Sequence, residues 1–234
     1  MDLNSNGLTR VAVEALVKPG NLAKLKQLTL NDNLLDAAAG GVLAMGNWKD
    51  LEILCLNFNS LGDQGLKNLS SHNWVRLKEL HLLNNNITNA GISGLVSMQL
   101  TYLQKLLLSN NLITDDGCKV LAKGQWKQLK TLEIEGNVLK DNAFLYLIRL
   151  GCYNLGSLRV FSSKNCMMGA DRKTEAVPTM GGLSWLIKGC WMRLQIELTL
   201  NKFGGMRKDY FIASNPIREM MELANVTVTT STPK

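Results

Sequence analysis

The chain has 234 residues, 46% of them hydrophobic and 19% charged, a balance that supplies a continuous apolar core. No run of about eighteen uncharged apolar residues occurs, which argues against a membrane-spanning helix. Met1–Asn6 carries neither a basic nor an apolar segment and does not read as a signal peptide. The net charge of +7 is uneven: residues 1–154 hold 15 Lys and Arg against 13 Asp and Glu, residues 155–234 hold 11 against 6. The basic last third could favour an acidic surface; nucleic acid is not expected, because no aromatic residues interleave with the cations and no Lys/Arg run occurs. Five cysteines in no metal-ligand spacing fit reduced thiols, and the expected compartment is the cytoplasm. The N-x-S/T strings at Asn68, Asn86 and Asn225 are not expected to be modified without a secretion signal.

The first element is a fragment of a pattern. Leu3-Asn4-Ser5-Asn6-x-Leu8 aligns with Leu30-Asn31-Asp32-Asn33-x-Leu35, one residue out of the later step, so residues 1–24 form a partial first repeat. No polar cap precedes it, although exposed ends of repeat arrays normally need one. Either the chain is a piece of a longer protein or a short gene product, which is the expectation, or a partner or second copy covers that end.

Five regular units follow over residues 25–154. Leu25-x-x-Leu28-x-Leu30-x-x-Asn33 recurs at Leu51/Leu54/Leu56/Asn59, Leu77/Leu80/Leu82/Asn85, Leu103/Leu106/Leu108/Asn111 and Leu129/Leu132/Ile134/Asn137, always 26 residues on. Leu28-x-Leu30 alternates, so its leucines share one face of a short strand while Gln27, Thr29 and Asn31 share the other. Residues 37–46, 63–72, 89–98, 115–124 and 141–150 carry apolar side chains at helical spacing. Asp63, Asn89, Asp115 and Asp141 stand near the helix starts, where each is expected to accept from free N–H groups. The Asn column (Asn33, Asn59, Asn85, Asn111, Asn137) is expected to satisfy backbone groups left unpaired where the chain turns inward after the strand. Trp48, Trp74 and Trp126 recur between helix end and next strand, which marks them as packing residues rather than a ligand box.

The run Leu106-x-Leu108-x-x-Asn111-x-Ile113-Thr114-Asp115-Asp116-Gly117-x-x-x-Leu121 resembles a leucine-rich repeat, most like the ribonuclease-inhibitor-like and cysteine-containing subclasses. Asn111 replaces the characteristic Cys of the second subclass, and the recurrent Trp departs from both. The resemblance implies an α/β horseshoe solenoid with a parallel β-sheet on the concave face and helices on the convex face.

Beyond residue 154 the array is expected to continue in altered form. Residues 155–193 read as a repeat with a polar inserted loop at about 164–179, since Leu186–Leu194 parallels Leu121–Leu129. Residues 194–234 read as degenerate C-terminal repeats: Leu198-Thr199-Leu200 as a strand, Ile217–Leu223 as a helix, Val226–Thr229 as a last strand. The whole chain is then one solenoid rather than two domains.

Outward strand positions define the candidate site. The central column is Thr29, Cys55, His81, Leu107, Glu133, Arg159 and Thr199. Its flanks are Gln27, Ile53, Glu79, Lys105, Thr131, Ser157 and Asn31, Asn57, Leu83, Ser109, Glu135, Phe161. Apolar Ile53, Leu83, Leu107 and Phe161 among polar Cys55, Glu79, His81, Lys105, Glu133 and Arg159 make a mixed patch of the kind that binds another protein. Cys55 and His81 are column neighbours but lack an obvious orienting carboxylate. They are expected to be face residues rather than a nucleophilic dyad. Glu133 and Arg159 read as a surface ion pair, His72 as solvated, Cys118 as core, and Lys119, Lys123, Lys127 and Lys130 as a solvated face. No P-loop, GxSxG, HExxH or paired-carboxylate motif appears, and no cofactor or metal is implied. The expected function is non-catalytic protein binding through the concave face. The alternatives are an enzyme regulator, as in the ribonuclease-inhibitor and GTPase-activator members of the family resembled, and a thiol enzyme using Cys55 and His81.

Overall fold

The computed structural model describes residues 1–18, 22–98, 100–147, 149–150, 155, 157–161 and 195–198. Each 26-residue unit makes one coil: a three-residue strand, an inward turn, a short helix and a return. The strands are β1 (Gln27–Thr29), β2 (Ile53–Cys55), β3 (Glu79–His81), β4 (Lys105–Leu107) and β5 (Thr131–Glu133), then β6 (Ser157–Phe161) and β7 (Gln195–Leu198). They form one parallel sheet in sequential order, and Leu28, Leu54, Leu80, Leu106, Leu132 and Leu158 lie side by side along it. The helices α1 (Arg10–Leu16), α2 (Ala37–Ala44), α3 (Gly62–Leu69), α4 (Asn89–Ser97), α5 (Asp115–Leu121) and α6 (Asp141–Leu147) form the other layer, each packed on its neighbours in sequence. They end one to three residues sooner than their apolar spacing suggests.

No coil closes a core of its own. Leu28, Leu54 and Leu80 meet Leu43, Leu69 and Leu95 in a single apolar column running along the axis, with all six at most 1% exposed. Burial of this kind contributes roughly 1.5–3 kcal/mol per leucine, but only when the next coil is present. The first, irregular unit joins the same column. Asp2 bridges to Thr29, Leu3 N donates to Thr29 O at 2.9 Å, and α1 buries Val13 completely, with Leu16 and Val17 packed beside it.

The turn after each strand holds the chain in coil form. Asn111 Nδ2 donates to Leu108 O and Ser109 O in its own coil and to Leu82 O in the preceding one. Its Oδ1 accepts from Asn85 N and Ile87 N, both at 3.0 Å. Asn33 repeats all five bonds, Asn59 and Asn137 repeat the three donations with one acceptance each, and Asn85 donates to Leu56 O and Leu83 O and accepts from Leu61 N at 3.4 Å. A backbone in this curve leaves N–H and C=O groups facing inward without ladder partners, and a carboxamide is the side chain with both donor and acceptor to meet them. Just before each Asn the backbone adopts left-handed φ, at Ser5, Asp32, Phe58, Asn84, Asn110 and Gly136. Small polar residues and glycine tolerate that conformation; Phe58, with φ +54°, is the exception.

The helix starts correct one expectation. Asp63 does not cap its own helix; it reaches forward to the next, accepting from Thr88 N at 2.7 Å, Thr88 Oγ1 at 2.6 Å and Gly91 N at 2.9 Å. Asn89 and Asp115 likewise accept from Thr114 N and Lys140 N, one coil on. The forward reach requires close approach: a Cβ on Gly91 or Gly117 would lie 2.5 Å from Asp63 Oδ1 or Asn89 Oδ1. Own-helix capping is made instead by Asp36 and Thr88, through Ala39 N and Ala90 N. At the opposite helix end, Trp48, Trp74 and Trp126 do more than pack: their indole N–H groups donate to Leu43 O, Leu69 O and Leu121 O, last-turn carbonyls that also accept from Gly46 N, His72 N and Gly124 N.

The tail differs in register from the expected one. β7 occupies Gln195–Leu198 rather than Leu198–Leu200, with Leu158 opposite Ile196 and an irregularity before Phe161 pairs with Leu198. Ile196-Glu197-Leu198 offers the same apolar alternation two residues earlier. Thr199, the loop at 164–179, the helix at 217–223 and the strand at 226–229 lie outside the described residues.

Replacing Asn111 with Ala removes the side-chain partner of five inward backbone groups and is expected to cost roughly 3 kcal/mol or more, at about 1–3 kcal/mol per stranded buried group. Asp63→Asn retains an acceptor, as Asn89 does naturally, and should cost less than about 1 kcal/mol, whereas Asp63→Ala should cost about 1–2 kcal/mol. Urea unfolding of the three variants tests the ranking; equal losses for Asp63→Asn and Asp63→Ala would contradict the cross-coil cap.

Candidate functional site

The ladder register assembles the concave columns directly. Thr29, Cys55, His81, Leu107, Glu133 and Arg159 stand in one row, and Gln27, Ile53, Glu79, Lys105, Thr131 and Ser157 in the next. Neighbours along a row are about 4.8 Å apart, the spacing of parallel strands. Of Arg159 and Phe161 only the backbone register is described. The third row is not a free surface at its N-terminal end. Asn4 Oδ1 accepts from Asn31 N, Asn31 Oδ1 from Asn57 N and Asn57 Oδ1 from Leu83 N, so these amides tie one coil to the next. The apolar members sit low: Ile53 and Leu83 are half-buried, and Leu107 is 9% exposed.

At the middle of the sheet the fold supplies a partner that column order does not reveal. Cys55 Sγ lies 3.2 Å from His81 Nδ1, and His81 Nε2 lies 3.1 Å from Glu79 Oε2. Glu79 stands two residues before His81 on β3, so its side chain shares the concave face and provides the orienting carboxylate. The signal for it is the period-two alternation of the strand: the third member lies along the strand, not along the column that joins Cys55 to His81. The carboxylate selects the tautomer with hydrogen on Nε2, which donates to Glu79, and the Cys55 thiol then donates to Nδ1.

The electrostatics oppose an activated nucleophile. Burial pushes the Cys55 thiol up to about 11, aided by the charge of Glu79. Burial also lowers His81 below the ordinary imidazole value, against the raising effect of its hydrogen bond to Glu79. Both groups are therefore neutral at pH 7, and the His81–Glu79 contact is a hydrogen bond from a neutral ring rather than an ion pair. A thiolate–imidazolium pair needs the opposite shifts. Cys118 is fully buried and pushed up to about 12, so it serves the core. His72 is not solvated as expected: its Nδ1 lies 3.0 Å from Ala44 O and its ring packs 4.5 Å from Trp74, with burial lowering its pKa. Among the described residues no group of three or more His, Cys, Asp or Glu could hold a metal ion.

The two rims of the sheet carry opposite charge, which no linear stretch of the sequence displays. Returns from helix to strand bring Lys24, Lys26, Lys49, Arg76, Lys78, Lys123, Lys127 and Lys130 to one rim, against Asp50 and Glu52. That rim is stacked by backbone bonds from Glu52 N to Lys26 O, Lys78 N to Glu52 O, Gln104 N to Lys78 O and Lys130 N to Gln104 O. Turns from strand to helix bring Asp32, Asp36, Asp63, Asp115, Asp116 and Glu135 to the other rim, with Lys140. Several exposed large apolar residues also lie off the concave face, Leu34, Phe58, Leu112 and Val138 on the acidic rim and Val75 and Tyr102 on the basic one.

The fold is a leucine-rich-repeat solenoid. No protein-family model matches the chain, and no curated protein matches it. Solved structures similar to it include the leucine-rich-repeat ectodomain of the Arabidopsis receptor kinase HAESA, crystallised with an N-terminally extended IDA peptide hormone. That similarity has 20% identity and a TM-score of 0.39, over 75% of this chain and 25% of the other. An internalin, inlF, from Listeria monocytogenes is 20% identical with a TM-score of 0.44, over 78% and 50% respectively. The plant peptide hormone receptor RGFR1, in complex with RGF2, is 16% identical with a TM-score of 0.38, over 90% and 34%. The chain thus spans between a quarter and a half of these solved structures. Among the described residues no helix is long and apolar enough to cross a membrane.

With its thiol pushed up to about 11, Cys55 exposes about a hundredfold less thiolate than an ordinary cysteine at pH 7.5. Its alkylation by iodoacetamide, followed by peptide mass mapping, is expected to be at least tenfold slower than that of an unstructured thiol and to rise toward pH 11. Labelling at the free-thiol rate would contradict the neutral pair. His72 and His81 are both lowered, so the unfolded chain binds protons more readily than the folded one near the ordinary value of 6.5. Their contribution to stability is present above that pH and lost as pH falls through it. Melting temperature should therefore drop between pH 7 and 5, and by less in a His72→Gln, His81→Gln double variant.

Proposed function

We propose that this protein is a non-catalytic binding module that holds a partner protein against the concave sheet between β2 and β6. The observation that supports the reading is the strand register itself. It sets half-buried Ile53 and Leu83 and nearly buried Leu107 beside Glu79, His81, Lys105 and Glu133 on one continuous surface. Apolar positions supply area to desolvate, and flanking charges supply discrimination, since a mismatched partner would leave one of them buried and unpaired. The parallel sheet is rigid because the strands are bonded in series and the turns are locked by the asparagines, so little ordering cost falls on this side of a complex. The neutral Cys55–His81–Glu79 chain fits a binding face better than a reaction centre. It fixes three side chains in one geometry without activating any of them. Arg159 and Phe161 extend the proposed face toward the C-terminal end, as their register on β6 allows.

A partner recovered by affinity capture should be lost when Ile53 and Leu83 are both changed to Glu, with circular dichroism confirming an intact fold. It should be retained by a variant reversed on the helical layer, Lys67→Glu with Lys119→Glu. Loss on deletion of residues 164–179 with retention by the concave variants would move the binding site to that loop and end the concave-face reading.

A further inference from the structure

The two rims are charged for different reasons, and the difference singles out one stretch. Carboxylates on the strand-to-helix rim hold the fold together, since Asp36 caps its helix while Asp63 and Asp115 bond the following coil. On the opposite rim the cations of the N-terminal half are offset by carboxylates, with Arg76 3.2 Å from Asp50 and Lys78 2.7 Å from Glu52. Between Ser97 and Thr131 the rim has no carboxylates of this kind. The only acidic residues in that stretch are Asp115 and Asp116, which sit at the start of α5 on the far rim. Lys123 and Lys130 share the basic rim there with Gln104, Gln128 and Tyr102. Lys130 Nζ reaches Gln104 Oε1 at 3.1 Å, a neutral partner that leaves its charge uncompensated. Tyr102 is 60% exposed although Leu100 and Leu103 on either side are buried.

We propose that this rim, centred on Tyr102, Lys123 and Lys130 in the returns to β4 and β5, is a second docking surface whose partner is a short acidic segment of polypeptide. Cations in one return, beside a tyrosine in the return before it and with strands about 4.8 Å apart, match a segment carrying several carboxylates within about 10–15 Å. The exposed tyrosine provides an amphipathic plate against which an apolar or aromatic residue of that segment can lie. A polynucleotide fits less well. Its phosphates repeat without end, and following the rim toward β1 they would meet Glu52 and Asp50, while the patch offers a single stacking side chain where strand binding uses several. A second copy of the chain is also disfavoured. Laying its acidic rim against this one makes a head-to-tail contact that cannot close into a dimer. This surface is distinct from the concave face and from the basic last third of the chain.

The test uses the full chain and a labelled peptide of eight alternating Glu and Phe residues, with binding followed by fluorescence anisotropy. Binding is expected at 50 mM salt, with affinity falling at least fivefold by 250 mM as screening shortens from about 14 Å to about 6 Å. Lys123→Glu and Lys130→Glu together should weaken it at least fivefold, and Tyr102→Ala about threefold. The helical-face variant Lys67→Glu with Lys119→Glu, which changes the net charge by a comparable amount, should bind within twofold of the parent chain. Equal loss in that variant would reduce the effect to bulk charge and overturn the proposal. So would displacement of the peptide by a twelve-residue oligothymidine, or by vesicles of 30% phosphatidylserine, at lower concentration than by unlabelled peptide, since the rim would then be a phosphate surface.

Discussion

The buried asparagine after each strand is the contact on which the solenoid depends. It touches three things at once: the curve of its own coil, the carbonyl of the coil before, and the N–H groups of that same neighbour. Asn111 forms five such bonds while 4% exposed. Leucine burial makes stacking favourable but is non-directional, and by itself would allow coils to slide or splay. The carboxamide adds direction. It couples the turn that ends one strand to the strand beside it, and the sheet inherits a register with no freedom to slip across β1 to β5.

Polar contacts between coils extend the same principle to the helical layer. Asp63, Asn89 and Asp115 each reach forward, and Gly91 and Gly117 stand where any side chain would block the first two. Indole N–H groups close three of the helices at their far ends. Each helix of seven to nine residues is too short to persist by itself. Its ends are satisfied partly by the preceding coil and partly by the return to the next strand. Local structure in this molecule is therefore a product of stacking, and the cooperativity of the array follows from shared hydrogen bonds as much as from shared core.

Function rides on what such stacking leaves over. Every outward strand position is fixed in space by its neighbours, so a column of side chains becomes a pre-ordered surface. Cys55, His81 and Glu79 show the consequence: three residues within hydrogen-bonding distance, with burial keeping the thiol and the imidazole neutral. Geometry alone would suggest a nucleophile with its base and orienting carboxylate, and the desolvation of the thiol opposes the ionisation such a nucleophile needs. The charged rims arise in the same way, from positions the fold leaves outside the core.

Most of the architecture was legible from residue order. Period 26, the alternation of Leu28 and Leu30, and the Asn column suffice for the strand order, the parallel register and the location of the core, because each coil repeats one solution to one burial problem. Which residues face the concave side also follows, since a strand has only two faces. Three features waited for the tertiary structure. The forward reach of Asp63 depends on the distance between successive helices, which no single coil encodes. Glu79 as third partner of Cys55 and His81 depends on side-chain reach within a strand and across it together. Opposite charge on the two rims appears only when returns and turns, alternating along the chain, are folded onto opposite edges. In each case the linear order holds the residues, but their meeting is a matter of distances between coils, and those are set by packing.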